Sequence, residues 1–91
     1  MTTEEKLSIE NDNTDRIICL REGMFWKLYE RSAFLFSMQV KALKPTRKYF
    51  KGPGLQVVSI GFPDTSLDSF LKGYDRILDL PDRVEVKSRG P

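Results

Sequence analysis

Gly52-Pro53-Gly54 constrains this chain more than any other feature, because it stands between two runs of strand composition, residues 46–51 and 55–62. Glycines supply the positive φ values that a tight reversal needs, so the two runs are expected as neighbouring antiparallel strands. The same tripeptide is no phosphate-binding loop. No Gly-Lys-Ser/Thr follows it, and its proline lacks one of the backbone donors such a cradle uses.

Other elements fall into place on either side of this hairpin. Residues 16–22 form a β-branched apolar run closed by Gly23, which reads as a buried central strand. From residue 25 to 43 the apolar side chains Trp26, Tyr29, Ala33, Phe36, Val40 and Leu43 recur at alternating spacings of three and four, the stripe of an amphipathic helix that Pro45 stops. Trp26, Phe36 and Val40 are expected in the core. After the hairpin, Thr65 with Asp68 resembles a capping box, Leu67, Phe70, Leu71 and Tyr74 form an apolar face, and Gly73 suits the helix end. Beyond a loop around Leu80-Pro81-Asp82, residues 83–87 alternate as a last half-exposed strand. The expected fold is of mixed α/β (α+β) class. It is one domain over residues 16–87 with element order β-α-β-β-α-β, a single mixed sheet and helices packed on it. Residues 1–15, polar and acidic, are expected as a flexible arm, with a marginal helical turn over 3–9, and residues 88–91 as a tail.

What the chain lacks narrows its chemistry. Its 91 residues include no histidine and one cysteine, which removes the commonest general base, the Ser-His and Cys-His pairs and most zinc sites. Cys19, inside the run Ile17-Ile18-Cys19-Leu20, reads as a small buried hydrophobe. Asp75, Asp79 and Asp82 alternate with Arg76, Leu80, Pro81 and Arg83 in no ligand spacing and read as a solvated, salt-bridged loop. The chain is therefore expected to be no enzyme and to need no metal or cofactor. Without a basic-then-apolar leader or a run of about twenty apolar residues, it is expected in the cytoplasm, with no membrane role.

Charge is segregated along the chain. Residues 1–15 carry net −4, residues 16–63 net +7 and residues 64–91 net −1. Between Arg31 and Pro63 stand six basic side chains, Arg31, Lys41, Lys44, Arg47, Lys48 and Lys51, and no acid. Such a stretch is either a solvated face whose lysines guard an edge strand or a surface for polyanions. Tyr49 and Phe50 among the cations favour the second.

Gly23-Met24-Phe25-Trp26-Lys27-Leu28-Tyr29 resembles the Gly-Asp-Phe-Tyr-Glu-Leu-Phe segment of the N-terminal mismatch-recognition domain of the MutS family. Gly61-Phe62-Pro63 before Leu67-Asp68-Ser69-Phe70-Leu71 is similar to that domain's Gly-Ile-Pro turn and following helix. The resemblance spans residues 16–87. It implies that Phe25 matches the phenylalanine that wedges against a mispaired base from the minor groove, a contact in which unstacking is offset by contacts to bent DNA. Lys27 stands where the family has a glutamate that bonds the mispaired base. A lysine donates where glutamate accepts and attracts phosphate, so mismatch discrimination is in doubt while general affinity is kept. The alternative for Phe25 is a place on the core face of the helix, and for Lys27 a solvated side chain.

Two functional classes stay open. One is an accessory module that binds duplex or structured nucleic acid through Phe25, Lys27, Lys41, Lys44, Arg47, Lys48 and Lys51. The resemblance implies that it works for an enzyme in trans, such as the reverse transcriptase of a diversity-generating retroelement. The other is a protein-interaction module whose basic, aromatic face meets an acidic partner.

Overall fold

Backbone pairing decides the architecture. In the computed structural model, which describes residues 2–50 and 54–89, six strands form one antiparallel sheet: β1 (Arg16–Glu22), β2 (Phe25–Tyr29), β3 (Thr46–Phe50), β4 (Leu55–Pro63), β5 (Arg76–Leu80) and β6 (Arg83–Lys87). They lie side by side in the order β3-β4-β2-β1-β6-β5. Helices α1 (Thr3–Asn11), α2 (Glu30–Gln39) and α3 (Leu67–Phe70), the last entered through a 3-10 turn over Asp64–Ser66, complete the domain. The α+β class is as expected, and the β3–β4 hairpin pairs Thr46 with Ser59 through Phe50 with Leu55. Gly52 and Pro53, on which that expectation rested, lie outside the described residues, as does Lys51.

The sequence reading differs from the structure at four places. First, residues 25–29 are a strand and not the opening turns of a helix. Gly23 at φ 65 begins a two-residue turn that sets Glu22 opposite Phe25, and Phe25-Trp26-Lys27-Leu28-Tyr29 is buried alternately. Aromatic side chains favour such a pleated, half-buried surface. The helix is thereby shortened to α2, and Val40 becomes its half-buried C-cap. Second, the loop expected before residue 83 contains β5, so β5 and β6 form a further hairpin turned by Pro81 and Asp82. Third, α3 has no side-chain cap from Thr65, and Asp64 opens the 3-10 turn that precedes it. Fourth, the acidic arm is the ordered helix α1, started by a capping box between Thr2 and Glu5. The order is thus α-β-β-α-β-β-α-β-β, and the sheet is antiparallel throughout.

In an antiparallel pair, residues directly opposite point to the same face. One face carries Ile17, Cys19, Trp26, Leu28, Ile60, Phe62, Val84 and Val86, all buried under α2 and α3. Phe36 of α2, fully buried, stacks on Phe62 at 5.3 Å, and Phe70 meets both rings edge-on. Cys19 lies in this layer, and burial pushes its thiol up to about 12.

The opposite face receives α1. Lys6 reaches Glu22 at 2.8 Å and Tyr29 at 3.3 Å, and the Tyr29 hydroxyl donates to the same Glu22 oxygen. Burial alone raises a carboxyl, but the Lys6 and Tyr29 hydrogen bonds outweigh it and hold Glu22 below the usual carboxylate range. Beyond Tyr29 the chain leaves the sheet for α2 through Glu30, which takes φ 43, a left-handed conformation uncommon outside glycine. This departure parts β1 from the start of β4, and side chains cap the strand edges so freed. Ile18 N donates to Ser32 Oγ (2.9 Å), Arg16 N to Asn13 Oδ1 (2.9 Å) and Val58 N to Glu30 Oε1 (3.4 Å). Glu10 of α1 accepts from Ser32 N (2.9 Å), Ser32 Oγ (2.6 Å) and Asn13 Nδ2 (3.3 Å), which locks α1 to α2.

Candidate nucleic-acid interface

Phe25 opens β2 on the α1 face of the sheet with 51 % of its surface exposed. The core alternative for Phe25 therefore gives way, since Trp26 beside it takes the buried position, 2 % exposed. The turn residue Met24 is 78 % exposed, and Pro63, directly across from Phe25 on β4, is exposed as well. Together they make an apolar tip at one end of the sheet. Sequence reading missed Met24 and Pro63, although both lay in segments it had singled out.

The tip is fixed from behind. Asp64 N donates to Met24 O at 3.0 Å. Its carboxylate accepts from Trp26 Nε1 at 2.6 Å and pairs with Arg21 at 3.2 Å, while the Arg21 guanidinium lies 5.6 Å from the Trp26 ring centre. One aspartate thus ties together both strands of the β1–β2 hairpin and the end of β4, and so holds the backbone that carries Phe25.

Lys27, two residues along β2, shares the face of Phe25. Its neighbour across the ladder is Gly61, and a Cβ built on Gly61 would stand 3.1 Å from Lys27 Cδ and 3.3 Å from Cε. The aliphatic stem therefore lies flat over the glycine, and the half-buried Lys27 carries its ammonium at the outer end. Glycine at 61 is what admits it. The segments 23–29 and 61–63, far apart in sequence, are hydrogen-bonded neighbours: Phe25 faces Pro63, Trp26 faces Phe62 and Lys27 faces Gly61.

Register also sorts the basic stretch, and it does not gather the whole of it. Lys48 pairs with Val57, which has the parity of Gly61, so exposed Lys48 shares the face of Phe25 and Lys27. Arg47 pairs with Val58, on the parity of Ile60 and Phe62, and belongs to the α2 face with Tyr49. Lys41 follows α2 with its ammonium 5.9 Å from the Phe70 ring centre. Lys44 is exposed in the connection between α2 and β3. Adjacent residues of a strand point oppositely, so Arg47 and Lys48 cannot serve one flat surface. From Pro63 to Val57 is six residues of strand, roughly 20 Å, and this is the length of the row from Phe25 past Lys27 to Lys48.

Acid flanks the row at both ends, and at the Lys48 end Val57 lines a cleft shared with Glu4, Glu10 and Glu30. Glu22, the cross-strand neighbour of Phe25, is bound by Lys6 and Tyr29. Among the described residues, no group of three histidine, cysteine or acidic side chains is placed to hold a metal ion, and no helix is long and apolar enough to cross a membrane. Comparison with family models, with curated proteins and with solved structures gives no match for this chain.

Proposed function

We propose that the protein is a non-catalytic module that binds duplex or structured nucleic acid, with Phe25 as a wedge at a base step and Lys27 and Lys48 on phosphates. The observation that carries this reading is the pairing of segments 23–29 and 61–63 as neighbouring strands, which presents a half-exposed aromatic ring and a lysine on one face. These are the two segments that resemble the MutS mismatch-recognition domain. Their adjacency is what a shared recognition surface requires.

The dimensions suit a duplex. Roughly 20 Å between Phe25 and Lys48 matches about six base pairs at 3.4 Å each, so a ring at one step leaves the distal lysine near phosphates half a turn away. Lys27, between them, favours phosphate over the mispaired base, and the module binds with weak preference for mispairs. Lys41, Lys44 and Arg47 lie off this row and supply a diffuse field that speeds encounter. An accessory role beside a nucleic-acid-processing enzyme, a reverse transcriptase among them, suits a chain with this surface.

The test is a salt titration of a fluorescent 20-base-pair duplex by anisotropy. Affinity should fall with salt at a log-log slope of about −0.9 per phosphate neutralised. Lys27→Glu and Lys48→Glu should each weaken binding and flatten that slope by about one unit. Absence of binding at low salt, or a slope unchanged in both variants, rejects the interface.

A further inference from the structure

Where β2 ends at Tyr29, β4 runs on without a neighbour on that side. Its last pair with β2 is Ser59 opposite Tyr29, while β3 stays paired with it from Ser59 to Leu55. Successive residues of a strand turn their N–H and C=O groups to opposite neighbours. Val58 N donates to Glu30 Oε1 just past the end of β2, so Val58 and Gln56 turn their main chain to the gap and Val57 turns its own to β3. The two sides of the gap differ. On the β1 side Ile18 N donates to Ser32 Oγ at 2.9 Å, Arg16 N to Asn13 Oδ1 at 2.9 Å, and Arg16 O accepts from Asn13 Nδ2 at 2.6 Å. On the β4 side, among the described residues, the long 3.4 Å contact of Val58 N with Glu30 is the only hydrogen bond made to this edge.

A cleft of about 930 Å³ opens onto the same edge, walled by Leu7 of α1, by Arg31 and Phe34 of α2 and by Gln56, Val57 and Val58 of β4. That volume is near the top of the roughly 300–1,000 Å³ usual for a built ligand site. Phe34 is 60 % exposed, Leu7 and Val58 are half-buried and Gln56 is exposed, so apolar surface flanks a hydrogen-bonding edge. An open strand edge is a template for another extended chain, whose main chain bonds to it while alternate side chains find the walls. The four residues from Leu55 to Val58 give about 13 Å of such edge.

We propose that this edge takes an extended segment of a partner protein, seated in the plane of the sheet between β4 and the two helices, its main chain on Gln56 and Val58. The unpaired main chain selects the occupant. Nucleic acid has no alternating N–H and C=O groups to offer it. A second copy offers β3 or β5 as its rim strand, and each would bring its own sheet into a gap that two helices flank. The charge of the segment follows from the groups that face the cleft, Glu4, Glu10, Glu30 and Arg31. Glu10 is already held by Ser32 and Asn13, which leaves two carboxylates against one guanidinium. A segment carrying lysine or arginine is therefore favoured over an acidic one, by a modest margin. An incoming carbonyl takes over Val58 N, and Glu30 is released from its long contact to meet the cation. The seat stands whether or not the face of Phe25 and Lys27 binds a duplex.

The probes are an eight-residue synthetic peptide alternating valine and lysine, its glutamate-for-lysine counterpart, and a copy of the first with every amide N-methylated, which keeps the charge and removes the donors. By anisotropy, the lysine peptide should bind at least threefold tighter than the glutamate peptide and at least tenfold tighter than the methylated copy. Hydrogen exchange of the parent protein, read by NMR, should show the Gln56 amide open in the free chain and slowed at least tenfold by saturating lysine peptide. Gln56→Pro removes the one donor aimed at the gap without taking an N–H from the β3 ladder, and should weaken the lysine peptide at least tenfold. The exchange measurement needs no variant, so it decides the matter even where Gln56→Pro fails to fold. The proposal is overturned by equal affinity of the lysine peptide and its methylated copy, by glutamate-peptide affinity as high as that of the lysine peptide, or by Gln56 exchange that the lysine peptide leaves unchanged. It is also overturned if sedimentation shows a dimer of the parent chain in which the Gln56 amide is already protected.

Discussion

Replacing Ser32 by alanine removes one oxygen from the place where α1, α2 and β1 meet, and its effect can be worked from the contacts. Ser32 is fully buried. Its Oγ accepts from Ile18 N at 2.9 Å and from Asn13 Nδ2 at 3.2 Å, and donates to Glu10 Oε2 at 2.6 Å. Alanine nearly preserves the volume, so packing changes little. The loss is polar: Ile18 N–H is left buried without an acceptor, at about 1–3 kcal/mol, and the Glu10 carboxylate loses a charge-assisted bond worth about 1.5–3 kcal/mol. A total near 3 kcal/mol is a large share of the stability of a small domain. It should lower the thermal midpoint by roughly 12–24 °C, at about 4–8 °C per kcal/mol for a chain of this size. The deficit should also depend on pH. Burial already raises the Glu10 carboxyl above its ordinary 4.5, against the hydrogen bonds from Ser32 and Asn13. Loss of the Ser32 hydroxyl raises it further, so the extra cost is absent while Glu10 is protonated and grows as the pH climbs past that range. Differential scanning fluorimetry at pH 4 and pH 7 reads both effects. A midpoint within 3 °C of the parent at both values would refute the account of α1 as a locked element.

Glu10→Gln should lose stability relative to the parent at pH 4 and recover it toward pH 7. A group whose folded value is raised contributes stability below its unfolded value and loses it as the pH rises through the folded one; chemical denaturation of both proteins across that range checks the sign. Phe36→Ala empties a site between Phe62 and Phe70 and should cost about 3–5 kcal/mol. An unchanged urea midpoint would mean that the ring lies outside the core.

Much of this fold was legible where burial follows a simple period. β1, β6 and the β3–β4 hairpin announce themselves by apolar runs, alternation and turn residues. β2 did not, because Trp26 and Tyr29 satisfy the helical spacing to Ala33 and Phe36 while the same five residues alternate as a strand. The two-residue turn at Gly23 decides between them, and only pairing with β1 and β4 reveals it. β5 was hidden by its bulge and by exposed Ile77 and Leu80, which blur its alternation. α1 was hidden because its anchors are polar, Lys6 on Glu22 and Glu10 on Ser32, and no apolar period foretells a buried glutamate. At the site, the sequence left Phe25 open between wedge and core because its segment was read as helix, and only the alternation of the strand beside buried Trp26 turns the ring outward. The grouping of the cations was misread as one patch, since a count along the chain ignores that Arg47 and Lys48 turn to opposite faces.

The central claim, that the β2 face grips nucleic acid through Phe25, is tested most directly by Phe25→Ala, with duplex affinity and stability measured on the same protein. Stacking on one base is worth roughly 1–3 kcal/mol by alanine substitution, so affinity for the duplex should fall about five- to hundredfold at fixed salt. With half of the ring already in solvent, the urea midpoint should barely move. Affinity equal to the parent's, joined to a loss of several kcal/mol in stability, would show that Phe25 serves packing alone and would contradict the wedge.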